Sequence, residues 1–118
     1  MQYLILCCIN EDRWDSVPEA ERGAIMQEYG AWVQTTEKNG QHLASAQLRE
    51  TSTATTIRMK NGKPVVTDGP FAETKEQLGG YHLVECRDLD EAISIAKRIP
   101  TLRVGGAVEV RPVLGPSP

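Results

Sequence analysis

The chain has 118 residues, enough for one hydrophobic core and therefore one domain, residues 1–118. A quarter of the residues are charged and 40% are apolar, which excludes a disordered or fibrous chain. The net charge is −3 and the cations never run beyond two in a row, so direct nucleic-acid binding, which needs clustered Lys and Arg to displace counterions, is not expected.

No apolar stretch approaches the roughly 18 residues of a membrane span. The start, Met1-Gln2-Tyr3-Leu4-Ile5-Leu6-Cys7-Cys8, lacks the basic segment and cleavage site of a signal peptide, so a cytoplasmic protein is expected. Cys7, Cys8 and Cys86 are odd in number and have no metal-ligand spacing; they read as small buried hydrophobes. Neither a metal nor a cofactor is expected.

Tyr3 to Ile9 reads as a buried strand, and Asn10 to Asp15 as a polar loop. Ser16 and Glu19 have the spacing of a capping box, with Pro18 tolerated in the first turn. Ile25, Tyr29, Trp32, Val33 and Thr36 then form the apolar stripe of a long helix, stopped at Asn39-Gly40. His42 to Leu48 reads as a second strand. Thr55 to Lys60 alternates, Asn61-Gly62 fits a two-residue hairpin turn, and Pro64 to Thr67 is the returning strand. Asp68-Gly69-Pro70 breaks it, and Glu73 to Leu78 is expected to form one helical turn. Tyr81 to Cys86 is a strand, Asp88 and Glu91 form a second capping box, and Leu89, Ala92, Ile93, Ala96 and Ile99 share a helix face ended by Pro100. Ala107 to Val113 closes the chain as a strand.

Two strand–helix–strand halves flank a hairpin in this order, which predicts a ferredoxin-like α+β fold: an antiparallel sheet with two main helices on one face. Several strands are apolar on both sides. Leu4 and Leu6 oppose Ile5 and Cys7, and Tyr81 and Leu83 oppose Val84 and Cys86. The helices cover one face only, so the other needs a second cover, and a homodimer is expected.

Of the two histidines, His42 reads as a loop or strand-edge residue and His82 as a packed strand imidazole that could also serve as an acid or base. The densest group of functional side chains is Asp68, Phe71, Glu73 and Lys75. These residues build turns and solvated pairs, yet a carboxylate at a strand end beside Phe71 could also act as a base. Arg58 and Arg111 alternate with apolar neighbours and, if turned inward, would bind an anion. Trp32 belongs to the helix stripe.

The run from Val66 to Tyr81, with Asp68-Gly69-Pro70-Phe71 at its heart, resembles the signature of the YCII-related proteins, in their DGPF branch. Ala54 to Arg58, Leu89 to Ala92, Ile99-Pro100 and Val108 to Pro112 match as well, so the resemblance spans essentially the whole chain. It implies a dimeric α+β barrel in which two ferredoxin-like subunits face each other through their sheets. It also implies a small bacterial protein often encoded next to extracytoplasmic-function sigma factors. The shorter YCII branch is linked to catalysis through a histidine in the first helix and an aspartate near the cleft. Here Gln27, Glu28 and Tyr29 stand in that helix, so no helix histidine is carried over, and Asp68 is the candidate for the acidic partner.

The leading expectation is a homodimer that binds a small organic molecule in a cleft beside the Asp68–Lys75 segment, with catalysis left open. In it Asp68 is the catalytic candidate, Arg58, Glu73, Lys75, His82 and Arg111 are ligand contacts, and Phe71 and Tyr81 exclude water. The alternative is a regulatory adaptor that contacts a sigma factor through an exposed apolar patch.

Overall fold

The N-terminal apolar run forms β1 (Gln2–Ile9), a central strand of the sheet in the computed structural model. The structure describes residues 1–72 and 74–115, so Glu73 lies outside the described residues. After β1 come a short helix α1 (Glu11–Ser16), the long helix α2 (Glu19–Lys38) and β2 (His42–Gln47). The hairpin strands β3 (Thr55–Lys60) and β4 (Lys63–Asp68) follow, then β5 (Gln77–Glu85), α3 (Leu89–Ala96) and β6 (Ala107–Pro112).

Four strands make one sheet in the order β2-β5-β1-β6, with every pair antiparallel. The first strands of the two halves pair in the middle and the second strands lie at the edges. This is the ferredoxin-like α+β arrangement expected from the element order, with the β3–β4 hairpin inserted between the halves as a separate ribbon.

Strand alternation decides which side chains meet the helices. Tyr3 and Ile5 of β1, His82 and Val84 of β5, and Cys86 just after it are buried against Trp32 of α2 and Ala92, Ile95 and Ala96 of α3. Their sequence neighbours point the other way. Leu4 pairs with Leu83 and Leu6 with Tyr81, which lays an apolar, half-buried strip across the outer face of the sheet. The two-faced character read from the sequence is present in the fold.

Five local expectations are corrected. The segment expected as a loop from Asn10 to Asp15 is instead the helix α1 with its cap, the Asn10 side chain accepting from the Arg13 N–H at 3.0 Å. The Ser16–Glu19 capping box does not form: Ser16 donates to the Arg13 carbonyl, and Pro18 is the cap residue of α2 with no side-chain bond. The helical turn expected before β5 is absent among the described residues, and Gln77 and Leu78 already belong to that strand. The buried face of α3 turns toward Ile95 and leaves Leu89 exposed. Asp88 does cap α3 through the Glu91 N–H, while the Glu91 carboxylate turns to Arg87 and Gln41 instead of completing the box. The Asn61-Gly62 turn forms as expected, with positive φ at both residues (52° and 76°), the requirement of a type I′ hairpin.

Candidate functional site

A cleft of about 660 Å³ opens between the sheet and the helices α1 and α2. Cys7 from β1, Tyr29 and Val33 from α2, Trp14 from α1 and His82 from β5 are among its walls. It is mostly apolar with a few converging polar groups, the usual character of a small-molecule site.

The polar groups form a chain of side chains. Tyr29 sits on the helix stripe one turn before Trp32 and Val33, so its ring faces the sheet. Its hydroxyl lies 2.5 Å from His82 Nε2 and 3.3 Å from the Cys7 thiol. Across β2 and β5, His82 Nδ1 lies 3.1 Å from His42 Nε2. His42 Nδ1 in turn faces the Glu37 carboxylate at 4.0 Å. The His42 side chain is 5% exposed and that of Glu37 58%, so the chain runs from the cleft through the core to the surface. Trp32 packs edge-on against both imidazoles and is held by its own indole N–H, which donates to the Ile95 carbonyl.

Burial sets the protonation of these groups. It lowers His82 to about 4, with the neighbouring His42 adding to the effect, so His82 is neutral at physiological pH. Burial, reinforced by the Cys7 hydrogen bond, raises Tyr29 far above the ordinary phenol range, and burial also raises Cys7. A neutral imidazole carries one proton. With the Glu37 carboxylate at the far end, the arrangement that satisfies every group has Tyr29 donating to His82 Nε2, His82 Nδ1–H donating to His42 Nε2, and His42 Nδ1–H facing Glu37. Among the described residues no group of three His, Cys, Asp or Glu is arranged to hold a metal ion.

Of the sequence-read candidates that lie among the described residues, only His82 belongs to this cleft. Asp68 is exposed at the end of β4. Arg58 donates to the Phe71 carbonyl at 2.9 Å, and the Phe71 ring is 76% exposed. Lys75 borders a shallow depression with Thr51, Pro70 and Thr74. Tyr81 lies on the outer face of the sheet, across from Leu6. Arg111 is exposed and paired with Glu109 at 2.5 Å. The structure therefore does not gather these residues into one site, and the larger cleft is not beside Asp68. In the sequence Tyr29 reads as part of the helix stripe and His42 as a loop or strand-edge residue, and nothing in the sequence singles out Glu37. The signal for them was the pairing of β2 with β5, which brings together the chain's two histidines.

The chain belongs to the YCII-related domain family, whose model matches residues 1–115. An uncharacterized protein of Rhizobium meliloti (strain 1021) is 36% identical over 114 residues, which cover 96% of this chain and 92% of that protein. Among solved structures, the fold is similar to that of 5-chloro-2-hydroxyhydroquinone dehydrochlorinase from Burkholderia phenoliruptrix AC1100 in complex with 2,5-dihydroxybenzoquinone. The TM-score is 0.57 at 15% identity, over 97% of this chain and 94% of that one. No helix among the described residues is long and apolar enough to cross a membrane.

Proposed function

We propose that the protein is a cytoplasmic, cofactor-independent acid–base enzyme of the DGPF branch, acting on a small organic molecule in the Tyr29–His82 cleft. The observation that carries this reading is the hydrogen-bonded line Tyr29–His82–His42, which opens on the cleft at one end and meets the Glu37 carboxylate at the other. When a bound molecule presents an acidic O–H or C–H to Tyr29, the phenol oxygen takes that proton as its own passes to His82 Nε2. The His82 Nδ1 proton passes to His42, and the His42 Nδ1 proton leaves through water beside the Glu37 carboxylate, whose charge 4.0 Å away favours that exit. Both imidazoles end neutral. This matters because burial makes an imidazolium at His82 costly, and His82 alone is a weak base. The chain thus moves a proton without stopping a charge in the core.

The dehydrochlorinase of similar fold was solved with a hydroxylated quinone, and a cleft of about 660 Å³ holds a single-ring compound of that kind. We take an enolisable or phenolic ring compound as the substrate class. The active form is a homodimer in which the outer strip of Leu4, Leu6, Tyr81 and Leu83 meets its counterpart.

The test is titration of the protein with small cyclic ketones, phenols and quinones, followed by tryptophan emission, with proton–deuterium exchange at the acidic position followed by NMR. Saturable binding and catalysed exchange, both weakened in Tyr29→Phe and His82→Gln, are expected. Binding by no member of the panel, or exchange unchanged in both variants, would remove the proposal.

A further inference from the structure

The β3–β4 ribbon stands apart from the body. Its six pairs, from Thr55–Asp68 to Lys60–Lys63, form a complete ladder, but the ribbon makes no extensive contact with any other element. The radius of gyration is 16.2 Å, against roughly 13.5 Å for a compact chain of this length. The ribbon's base is anchored. Gly69 N–H donates to the Ala54 carbonyl, Thr56 donates to the Gly69 carbonyl, and Thr51 donates its N–H and its hydroxyl to the Glu11 carboxylate of α1.

The ribbon has two unlike faces. Register places Ile57 beside Val66 and Met59 beside Pro64, so these four side chains share one face. Ile57, Met59 and Val66 are each more than 60% exposed. The other face carries Arg58, Lys60 and Lys63. A two-stranded hairpin with a bare apolar face is marginal in water on its own, so this one is built to be covered.

We infer that the ribbon is an exchange arm, whose apolar face of Ile57, Met59, Pro64 and Val66 lies along the body of a second copy of this chain. Charge favours that occupant. Arg58, Lys60 and Lys63 against Asp68 give the arm +2, which leaves −5 on the rest of a chain whose total is −3. Two arms repel each other, whereas an arm and the body of another copy attract. Size fits as well. With on the order of 400 Å² of apolar surface per arm, two arms and the surfaces that receive them bury roughly 1,200–1,600 Å², the range of a stable dimer even before the sheet faces are counted. The inference rests on the pairing proposed above and adds to it the element that clasps the two copies together.

The test compares the full-length protein with Ile57→Ser/Val66→Ser by sedimentation velocity over a dilution series, with hydrogen exchange of the arm amides. Both substitutions fall on exposed positions, and near-UV circular dichroism of Trp32 reports that the body is folded. The expected results are a dimer whose arm amides lose protection on dilution, and a dissociation constant raised by about a hundredfold in the variant. A dimer equally tight in the variant overturns the arm while leaving the sheet pairing intact, and frees the apolar face for a different protein such as a sigma factor. A monomer at all concentrations overturns both.

Discussion

Tyr29 and His82 meet hydroxyl to imidazole at 2.5 Å although they come from opposite layers of the fold, one from α2 and the other from β5. The helix is therefore docked on the sheet by a polar contact inside an otherwise apolar interface, in which Trp32 and Val84 pack one step away. Such a contact in a low-dielectric setting is consequential both when made and when broken.

Tyr29→Phe keeps the ring edge-on to Trp32 but leaves His82 Nε2 and the Cys7 thiol without their partner. The expected loss of stability is about 1–2 kcal/mol, the usual consequence of orphaning a buried polar group. Urea unfolding measures it. A variant as stable as the parent would mean that the hydroxyl makes no net contribution to docking the helix.

Acid should destabilise the protein through His82. Its folded value, about 4, lies below the 6.5 of an unconstrained imidazole, so the unfolded chain binds a proton that the folded chain refuses. The stability contribution is complete above 6.5, falls as the pH drops from there toward 4, and levels off below. Over that window the loss is about 3 kcal/mol, read as the difference between the parent and His82→Gln in urea unfolding, since carboxylates titrate in both. NMR should find no His82 titration near neutrality. Parallel pH profiles for the two proteins would overturn the assignment.

The sequence disclosed the fold more readily than the site, for a physical reason. Elements follow from local periodicity: the stripe through Ile25, Tyr29 and Trp32 and the alternation of Tyr3 with Leu4 are visible in short windows. The site depends on strand order. His42 and His82 are far apart in the chain and meet only because β2 pairs with β5, which no local pattern announces. The Asp68 segment stands out in the sequence through its density of functional side chains, yet Asp, Gly and Pro also serve to turn the chain, as where Gly69 closes the hairpin base with Thr56. The helix that lacks the histidine implied by the resemblance instead presents Tyr29 to His82 of the sheet.

Glu37→Gln tests the direction of the proton chain. The carboxylate faces His42 Nδ1 and lies outside the cleft, so the variant should fold and bind ligand as the parent does. Nitrogen NMR of the parent should find the His82 proton on Nδ1, with His42 protonated on the side of Glu37. The variant should show a mixture of tautomers at both imidazoles and a slower exchange rate at unchanged ligand affinity. A parent His82 protonated on Nε2 would reverse the chain and remove Glu37 as its outlet.

Gly80→Ala tests how closely the sheet must pack beside the cleft. Gly80 pairs with Gln47 of β2 and with Cys7 of β1, at a point where the register of β1 and β5 shifts by one residue. A Cβ at Gly80 would stand 2.9 Å from the Ala46 carbonyl oxygen, a backbone atom that moves only if β2 moves. As β2 is an edge strand, it can yield, at an expected cost of about 1–3 kcal/mol. Because β2 also carries His42, its displacement should lengthen the His42–His82 contact and lift the His82 titration toward the ordinary imidazole range. Urea unfolding and histidine NMR on one sample measure both effects. A destabilised variant with an unmoved His82 would show that β2 gives way at its Ala46 end alone, without disturbing the pair of imidazoles.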